Sequence, residues 1–315
     1  AYVSSRLRSY GIAVADRVAI VLPNGPEMAS AFITMAQSST TAPLNPNYRE
    51  EEFVFYLEDL NAKAVVVNKD YEGPAALAAQ RLNIQIIRLV ESKGIAGLFS
   101  IEAEKNGNVI EDEVVNENDV ALILHTSGTT SRPKIVPLLQ SNIAASASNI
   151  AQSLSLSFSD RCMNVMPLFH IHGLIAAVSA SLTAGASIWC SSGFNALSFF
   201  SNLDEAKPTW YTAVPTMHQA ILARAGRNAE TIKNNPLRFL RSSSASLPTQ
   251  VMVELVDSFC APVVEAYGMT EATHQMCCNR LDKQKPGSVG IPAGPSVKIA
   301  HEVNNSLVTA TGEVV

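Results

Sequence analysis

The sequence has few charged residues and no cluster of basic ones. Charged side chains make up 16% of the 315 residues, and 23 Lys and Arg residues stand against 28 Asp and Glu residues, for a net charge of −5. Binding to nucleic acid depends on Lys and Arg grouped against phosphates, so this composition argues against nucleic acid as a main partner. The hydrophobic share of 47% is typical of a globular chain with a large buried fraction, not of a disordered one.

Cysteine is scarce, and its spacing does not match a metal site. The five cysteines are Cys162, Cys190, Cys260, Cys277 and Cys278. Their odd number, without a secretory signal, predicts reduced thiols in an intracellular protein. The cytoplasm and the peroxisome both fit, and a peroxisomal address would stand at a C-terminus that we expect to lie beyond this chain.

Long apolar runs are also missing, which argues against a membrane span. The most apolar stretch, residues 174–189, is interrupted by Ser179, Ser181, Thr183 and Gly185 and is too short to cross a bilayer. We predict a buried helix that leads into a strand.

Strand and helix patterns alternate along most of the chain. Short apolar stretches such as 17–22 and 120–124 predict buried strands, and segments with apolar residues at helical spacing lie between them. This alternation predicts parallel βαβ units. We therefore expect an α/β fold with two doubly wound, mostly parallel βα sub-domains, residues 1–155 and 156–284, and the start of a small β-barrel-like sub-domain at residues 285–315.

Two features do not follow this alternation. The polar segment 91–118 predicts a long connection to the next strand. Both ends of the sequence lie inside predicted elements, a helix at residues 2–10 and a strand at Val315. We therefore expect this sequence to be a piece of a longer chain.

The stretch 125–134 is rich in hydroxyl side chains and carries one glycine and two cations, directly after a predicted strand. Many hydrogen-bond donors and a positive charge in one loop are what a polyphosphate requires. The loop is not a Walker A motif, because Pro133 and Ile135 flank Lys134 where that motif has glycine and a hydroxyl residue. The alternative is an ordinary Ser/Thr-rich surface loop.

Three further motifs follow predicted strands. His170 and His172 stand beside Phe169, either as structural hydrogen-bonding residues or as part of a site. The small residues 242–247 form either a plain connection or a flat surface for a planar ring. The motif 267–271, Tyr-Gly-Met-Thr-Glu, supplies a ring that can stack on a base, a hydroxyl that can bond a phosphate and a carboxylate that can hold Mg²⁺.

Together these motifs resemble the adenylate-forming superfamily of acyl-CoA synthetases, luciferases and adenylation domains, and within it the plant and fungal oxalate–CoA ligases. The similar stretches are 124–134, 167–174, 210–216, 238–247 and 261–274. The resemblance is to the large N-terminal domain, without the C-terminal lid domain. It implies an AMP-forming acid–thiol ligase that uses ATP, Mg²⁺ and CoA to activate a small carboxylic acid. A medium-chain fatty-acid or 4-coumarate CoA ligase and a non-catalytic nucleotide-binding domain are the alternatives.

The resemblance also implies a role for individual residues. The β- and γ-phosphates would be held by Thr126, Ser127, Gly128, Thr129, Thr130 and Lys134. The adenine pocket would be formed by Ser243, Ser244, Ala245, Ser246, Ala266, Tyr267 and Gly268. Thr270 would contact the α-phosphate, Glu271 would hold the magnesium ion, and His170 would line the channel between the carboxylate and the attacked phosphorus.

The identity of the carboxylic acid that would be activated is predicted from His170 and from the residues after Glu271. Amino-acid-activating relatives have an aspartate at the position of His170, which argues against an amino acid. A fatty-acid tunnel would need small apolar residues after Glu271, whereas this chain has polar ones, which we expect on a helical turn. A short diacid would need such partners for its second carboxylate. We predict that His274, with Ser243 or His172, binds the distal carboxylate of oxalate.

The sequence departs from the family pattern at three positions. Ser131 and Ile135 stand where the superfamily loop usually has glycine. The serine at position 131 resembles the oxalate group in this respect. Gly268 is the residue that the broader family has at this position, whereas the oxalate group prefers alanine there. The ribose-binding aspartate, the hinge and the C-terminal lysine of the family are expected beyond Val315. The chain alone should therefore not complete the reaction.

Overall fold

Short runs of buried apolar residues form the strands of two large sheets. The computed structural model describes residues 1–104, 108–111, 113–126, 133–301, 306–308 and 313–314. Its strands are β1 (Arg17–Ile20), β2 (Thr40–Pro43), β3 (Ala64–Asn68), β4 (Gln85–Glu91), β5 (Phe99–Ala103), β6 (Val120–Thr126), β7 (Lys134–Leu139), β8 (Arg161–Asn164), β9 (Ser187–Cys190), β10 (Trp210–Ala213), β11 (Phe239–Ser242), β12 (Val263–Met269), β13 (His274–Cys278), β14 (Ile291–Pro292), β15 (Ile299–Ala300), β16 (Leu307–Val308) and β17 (Glu313–Val314).

Each large sheet has a parallel centre, with antiparallel strands at both edges of the first sheet and at one edge of the second. The first has the order β5-β4-β3-β1-β2-β6-β7, with β5 and β7 antiparallel to their neighbours. The second has the order β14-β13-β12-β11-β10-β8-β9, with β13 and β14 antiparallel. Central strands such as β3 and β10 are buried along almost their whole length, as expected for parallel strands covered on both faces. Strands β15, β16 and β17 form a small antiparallel sheet.

Helices connect the parallel strands and cover both sheets. They are α1 (Tyr2–Ser9), α2 (Pro26–Met35), α3 (Glu50–Asp59), α4 (Pro74–Arg81), α5 (Gln140–Ser153), α6 (Ala180–Thr183), α7 (Phe199–Ala206), α8 (Pro215–Ala225), α9 (Ala229–Asn234) and α10 (Thr249–Phe259). The local sequence determines where several of these helices begin. Helix α3 has Glu50 to Glu52 in its first turn, where acidic side chains interact favourably with the helix dipole. Proline at the first position opens α8, as it does in many helices.

A buried π-helix, His172–Ser179, lies between the two sheets. All eight of its residues are buried, and the five from Leu174 to Val178 share one core cluster with Leu122 of the first sheet and Trp210 of the second. The stretch 174–189 is thus a buried helical segment, continued by α6, that leads into β9, as the sequence predicts. Among the described residues, none of the helices combines the length and the apolar character that crossing a bilayer requires.

The α/β prediction with two mainly parallel sheets is confirmed, whereas two local predictions are wrong and one strand was not predicted. Residues 91–118 contain a strand, β5, which pairs with β4 although its sequence is polar in part. Strand β7, which lies between the phosphate-loop segment and helix α5, is the strand that was not predicted. His274 begins strand β13 after a 3₁₀ turn, Thr270–Ala272, and so does not lie on a helical turn. The boundaries of the three sub-domains stay predictions.

Asn24 links the turn after β1 to the second sheet. Its Nδ2 donates to the carbonyl oxygens of Met166 (3.2 Å) and Ser191 (3.1 Å), and its Oδ1 accepts from the backbone N–H of Leu168 at 2.7 Å. Three bonds from one amide satisfy backbone groups of two separate segments in the second half of the chain. This side chain therefore helps to fix how the two sheets meet.

We expect Asn24→Ala to lower the free energy of unfolding by roughly 1–3 kcal/mol, the cost of leaving buried polar groups without partners. Urea denaturation would measure the change. Asn47→Ala is the matched control, because Asn47 lies exposed in the loop after β2. Equal denaturation midpoints for the two variants would contradict the role given to Asn24.

Gly173 permits the tight turn that enters the π-helix. A Cβ atom at this position would lie 2.5 Å from the carbonyl oxygen of Pro167, which is a backbone atom and cannot rotate away. We expect Gly173→Ala to destabilise the protein by about 1–3 kcal/mol, as overpacking of a core does. Thermal unfolding measures the effect. In Gly226→Ala the new Cβ meets no atom within 4 Å, so this control should keep the melting temperature.

Candidate functional site

The candidate site lies at the carboxyl ends of the parallel strands in the second sheet. Strands β9 and β10 lie on opposite sides of β8 in the sheet. The position between β8 and β10 is therefore a topological switch point, the usual place for ligands in doubly wound sheets. The segment with His170 and His172 follows β8, and Thr212 lies in β10 next to it. The small-residue turn after β11 and the motif at the end of β12 lie on the same side.

The phosphate-loop segment connects β6 to β7 as a hairpin in the first sheet. Thr126 and Lys134 are paired in the register of these two strands. The predicted phosphate-binding residues Ser127, Gly128, Thr129 and Thr130, and the unusual Ser131, lie outside the described residues. Lys134 is exposed to solvent.

Thr126 brings this hairpin to the carboxylate predicted to hold magnesium. Its Oγ1 donates to Oε1 of Glu271 at 3.4 Å, although the two residues are 145 positions apart. Glu271 is exposed in the 3₁₀ turn with Thr270. Within the described ranges, no group of three or more His, Cys, Asp and Glu residues could hold a metal ion. A single carboxylate still fits Mg²⁺, which proteins often bind with one or two carboxylates together with substrate phosphates.

The residues predicted to surround adenine differ in exposure. Ser244, Ala245, Ser246 and Tyr267 are exposed, whereas Ser243 and Ala266 are buried. The Ser243 hydroxyl donates to the carbonyl oxygen of Ala266 at 2.9 Å and so joins the ends of β11 and β12. A Cβ at Gly268 would overlap the carbonyl oxygen of His274, which explains glycine at this position.

His170 and His172 differ in their environments. His170 is exposed, with its ring centroid 4.6 Å from that of Phe169. His172 is buried and fully hydrogen-bonded: Nδ1 lies 3.0 Å from Oγ of Ser244, and Nε2 lies 2.6 Å from Oγ1 of Thr212. Of the two, only His170 faces solvent.

Arg241 is the residue at the site that sequence reasoning missed. It lies in β11 with no solvent exposure (0%). One Nη atom lies 3.3 Å from Nε2 of His172, and the other lies 3.2 Å from Nε2 of His274 and 3.1 Å from Oε1 of Gln275. A charged residue in an otherwise apolar strand, Phe-Leu-Arg, was the available signal.

The rings of His172 and His274 are stacked beside this guanidinium, with their centroids 4.9 Å apart. Burial, together with the positive charge of Arg241, holds the pKa of both imidazoles well below the usual range. Both rings are therefore neutral at neutral pH. Burial also lowers the pKa of Arg241, yet a guanidinium keeps its proton in a protein. The cluster thus carries one positive charge, on Arg241.

Unusual backbone conformations coincide with these side chains. Ser244 (φ +72°), Thr273 (φ +52°) and His274 (φ +91°) all occupy left-handed conformations without being glycine. Such conformations cost free energy and concentrate at ligand sites and active sites. The two turns that carry them flank the cluster of Arg241, His172 and His274.

Comparisons with known proteins agree with this geometry. The chain matches the AMP-binding enzyme family over residues 1–315. An oxalate–CoA ligase of Arabidopsis thaliana is 43% identical over 309 residues, which cover 95% of this chain and 60% of that protein. An oxalate–CoA ligase of Saccharomyces cerevisiae is 37% identical over 331 residues, with 93% and 58% covered.

The fold comparison gives the same result. The crystal structure of ATP-bound MatB from Rhodopseudomonas palustris has a TM-score of 0.83 at 25% identity, and the match covers 99% of this chain and 62% of that one. The chain spans about 60% of the length of the relatives it matches. With all of its residues matched to one family and an α/β fold in common, this chain belongs to the AMP-binding enzymes.

Proposed function

We propose that the whole protein is an ATP-dependent acid–CoA ligase that activates a small carboxylic acid, with oxalate favoured. The observation that carries the proposal is the meeting of Thr126, at the end of the phosphate-loop strand, with Glu271, at the end of the β12 motif. The Thr126 hydroxyl thereby lies beside a carboxylate that suits a metal ion, and Lys134, a cation that suits phosphate, is paired with Thr126 in the strand register. That combination suits a nucleotide triphosphate better than a plain surface loop.

In the first step the acid's carboxylate attacks the α-phosphorus of ATP, which forms an acyl-adenylate and releases pyrophosphate. A carboxylate is already a nucleophile at neutral pH, so the protein needs no general base. Its residues instead orient the reactants and neutralise charge. Lys134 and the loop hydroxyls would hold the β- and γ-phosphates, and Thr270 would contact the α-phosphate. His170, exposed beside Phe169, would border the path of the acid.

Magnesium and the base of ATP are assigned to neighbouring residues. Glu271 would hold Mg²⁺, which neutralises phosphate charge as pyrophosphate leaves. Tyr267 is 37% exposed and is free to stack on the adenine, above the turn of Ser244, Ala245 and Ser246. In the second step the CoA thiol attacks the acyl carbon, and AMP leaves.

The preference for a short diacid rests on the polar side chains near Glu271. His172 and His274 are buried and stacked. Nε2 of His274 accepts from Arg241, so the ring has an Nδ1–H group to donate to a second carboxylate. Of the two rings, His172 is the weaker donor, because both of its ring nitrogens already bond Ser244 and Thr212. Ser243 is the weaker candidate, because its proton is already donated to Ala266. The two relatives named oxalate–CoA ligases support the same choice. We also propose an intracellular location, because all five cysteines are unpaired.

We expect the whole protein to release pyrophosphate from ATP with oxalate and to release far less with octanoate, 4-coumarate or an amino acid. A continuous pyrophosphate assay with each acid in turn tests this. Strong release with octanoate or 4-coumarate and none with oxalate would favour the alternative ligases. ATP binding without release for any acid would indicate a non-catalytic nucleotide-binding protein.

We expect His274→Ala to raise the KM for oxalate about 10- to 100-fold, because a hydrogen bond to a charged group contributes about 1.5–3 kcal/mol. The KM for ATP should change little. His218→Ala is the matched control: His218 is also buried, but its ring bonds Tyr211 and the Arg241 carbonyl. An unchanged oxalate KM in His274→Ala would remove His274 from acid recognition.

A further inference from the structure

The last two residues of β6 point to opposite faces of the first sheet, because side chains alternate along a strand. Leu124 lies in the core cluster that joins the two sheets, and Ile123 lies in the cluster that packs against α3. Thr126 continues the face of Leu124 and reaches Glu271. His125 continues the face of Ile123 and turns away from the proposed nucleotide site. The proposed function leaves His125 without a role.

His125 is bonded to the end of α3. Its Nε2 lies 3.1 Å from Oδ2 of Asp59, and only 7% of its side chain is exposed. A carboxylate only accepts hydrogen bonds, so Nε2 carries a proton and donates. Burial lowers the pKa of His125, against the opposing effect of Asp59, so the ring is neutral at neutral pH. The ring of Tyr56 meets the imidazole edge to face, with 4.7 Å between the centroids. Two residues of α3 thus fix the orientation of this ring.

A row of aromatic rings connects His125 to the core. Tyr56 is stacked on Tyr48, with the centroids 4.9 Å apart and an angle of 11° between the ring planes. Tyr48 in turn meets Phe53 at 5.8 Å, and Phe53 has no solvent exposure (0%). His125 therefore rests on rings that are themselves packed against a fully buried residue.

The second strand of the hairpin is packed in the same place. His125 is paired with Ile135 in the register of β6 and β7, and Thr126 is paired with Lys134 one position further along. Ile135 packs against the same core cluster as Phe53. The two residues that bound the phosphate-loop segment, Thr126 and Lys134, thus stand one position beyond a pair that is fixed to the core.

Stability alone does not explain Asp59. It is the last residue of α3, where the helix dipole disfavours a carboxylate. About a third of its side chain is exposed (33%), and a pair this exposed adds little to stability. A residue that opposes its own helix and adds little elsewhere is the kind of local conflict that folds keep at functional sites. What Asp59 does provide is a single orientation for the ring of His125.

We propose that His125, held by α3, is a positioning residue for the triphosphate of ATP. It fixes the base of the phosphate-loop hairpin, so that Thr126 and Lys134 are held in place for the β- and γ-phosphates. The inference rests on the proposed function, in its assignment of this hairpin to ATP. His125 acts through these two neighbours, because its own side chain lies on the opposite face of the sheet. Groups that are already in place stabilise phosphate charge without first having to be ordered.

The effect should be confined to the outer phosphates. AMP has the base, the ribose and the α-phosphate of ATP but lacks the β- and γ-phosphates. The residues assigned to the base and to the α-phosphate, Tyr267 and Thr270, lie at the end of β12 in the second sheet. Loss of positioning at the hairpin should therefore weaken the binding of ATP and spare that of AMP, whereas a general loss of folding should weaken both.

The test measures the Kd of ATP, with Mg²⁺ present, and the Kd of AMP by isothermal titration calorimetry in the whole protein. His125→Ala removes the contacts with Asp59 and with Tyr56. We expect its ATP Kd to rise about tenfold, which corresponds to about 1.4 kcal/mol, and its AMP Kd to stay within about twofold. A loss of that size is close to the lower value for one hydrogen bond to a charged group.

Variants of Asp59 test the hydrogen bond separately. Asp59→Asn keeps an oxygen that accepts from Nε2 and should keep the ATP Kd of the unmodified protein. Asp59→Ala removes that oxygen and should raise the ATP Kd by a smaller factor than His125→Ala, because the contact with Tyr56 remains. The double variant should be no worse than His125→Ala alone, since both changes remove the same interaction.

Two comparisons separate positioning from folding. Glu58→Ala is the matched control, because Glu58 is the neighbouring acid on the same helix and is exposed; its ATP Kd should not change. Asp59→Ala alters a partly exposed side chain, so it tests the inference even if His125→Ala does not fold. The melting temperature of each variant shows which of them remain folded.

The outcomes distinguish the inference from the function beneath it. An unmodified protein that does not bind ATP would overturn both. ATP binding without pyrophosphate release for any acid would overturn the ligase function, and the ATP and AMP Kd values would still test the inference. ATP and AMP Kd values that rise together, or not at all, in His125→Ala and Asp59→Ala would overturn the inference alone. A rise confined to ATP, and absent in Asp59→Asn, would support it.

Discussion

The contact of the buried Arg241 guanidinium with two histidine rings is the interaction on which the candidate site depends. Three strands supply its parts: Arg241 comes from β11, Thr212 from β10 and His274 from β13. The π-helix supplies His172. Because the cation only donates, Nε2 of His274 accepts from it, and the proton of that neutral ring lies on Nδ1. A buried residue thereby determines which nitrogen of the His274 ring can donate a hydrogen bond.

The doubly wound topology makes this meeting possible. Parallel strands end on the same side of a sheet, so residues far apart in sequence come together at their carboxyl ends. The same principle brings Thr126 of β6 to Glu271 after β12, across two sheets that share a core around the π-helix. Asn24 adds a direct connection, because one amide side chain bonds the backbone of two segments of the second sheet. The relative position of the sheets is therefore also a property of the site.

The sequence predicts the parallel strands and most helices well, because buried apolar runs and helical spacing are local signals. It fails where the deciding interaction is remote. Strand β5 has a partly polar sequence and exists because β4 offers it an edge to pair with. His274 lies on a strand instead of a helical turn, because β12 pairs with β13 after a tight turn with two left-handed residues, Thr273 and His274. Pairing of this kind leaves no periodic trace in a short segment.

The candidate site likewise combines residues with a local sequence signal and one residue whose role depends on remote contacts. Tyr267, Thr270 and Glu271 stand in an ordered motif, and the chemistry of each side chain is evident from its type. Arg241 is different, because a lone arginine in an apolar stretch has no evident meaning until its partners are known. The sequence predicts that His274, with Ser243 or His172, binds the distal carboxylate of oxalate, but it does not predict that Arg241 contacts both histidine rings. Such a dependence is visible only in three dimensions.

The strand that follows Glu271 also bears on the alternative acids. All five residues of β13, from His274 to Cys278, are buried, and Gln275 is fixed by bonds to Arg241 and to Ser153. A long aliphatic acid that ran along this strand would have to displace those bonds and leave a charged and an amide group unpaired, which is costly. A short diacid leaves them intact and adds a negative charge near the cation. The bonds of Gln275, together with the charge of Arg241, thus support the proposed preference for a small acid with two carboxylates over a fatty acid.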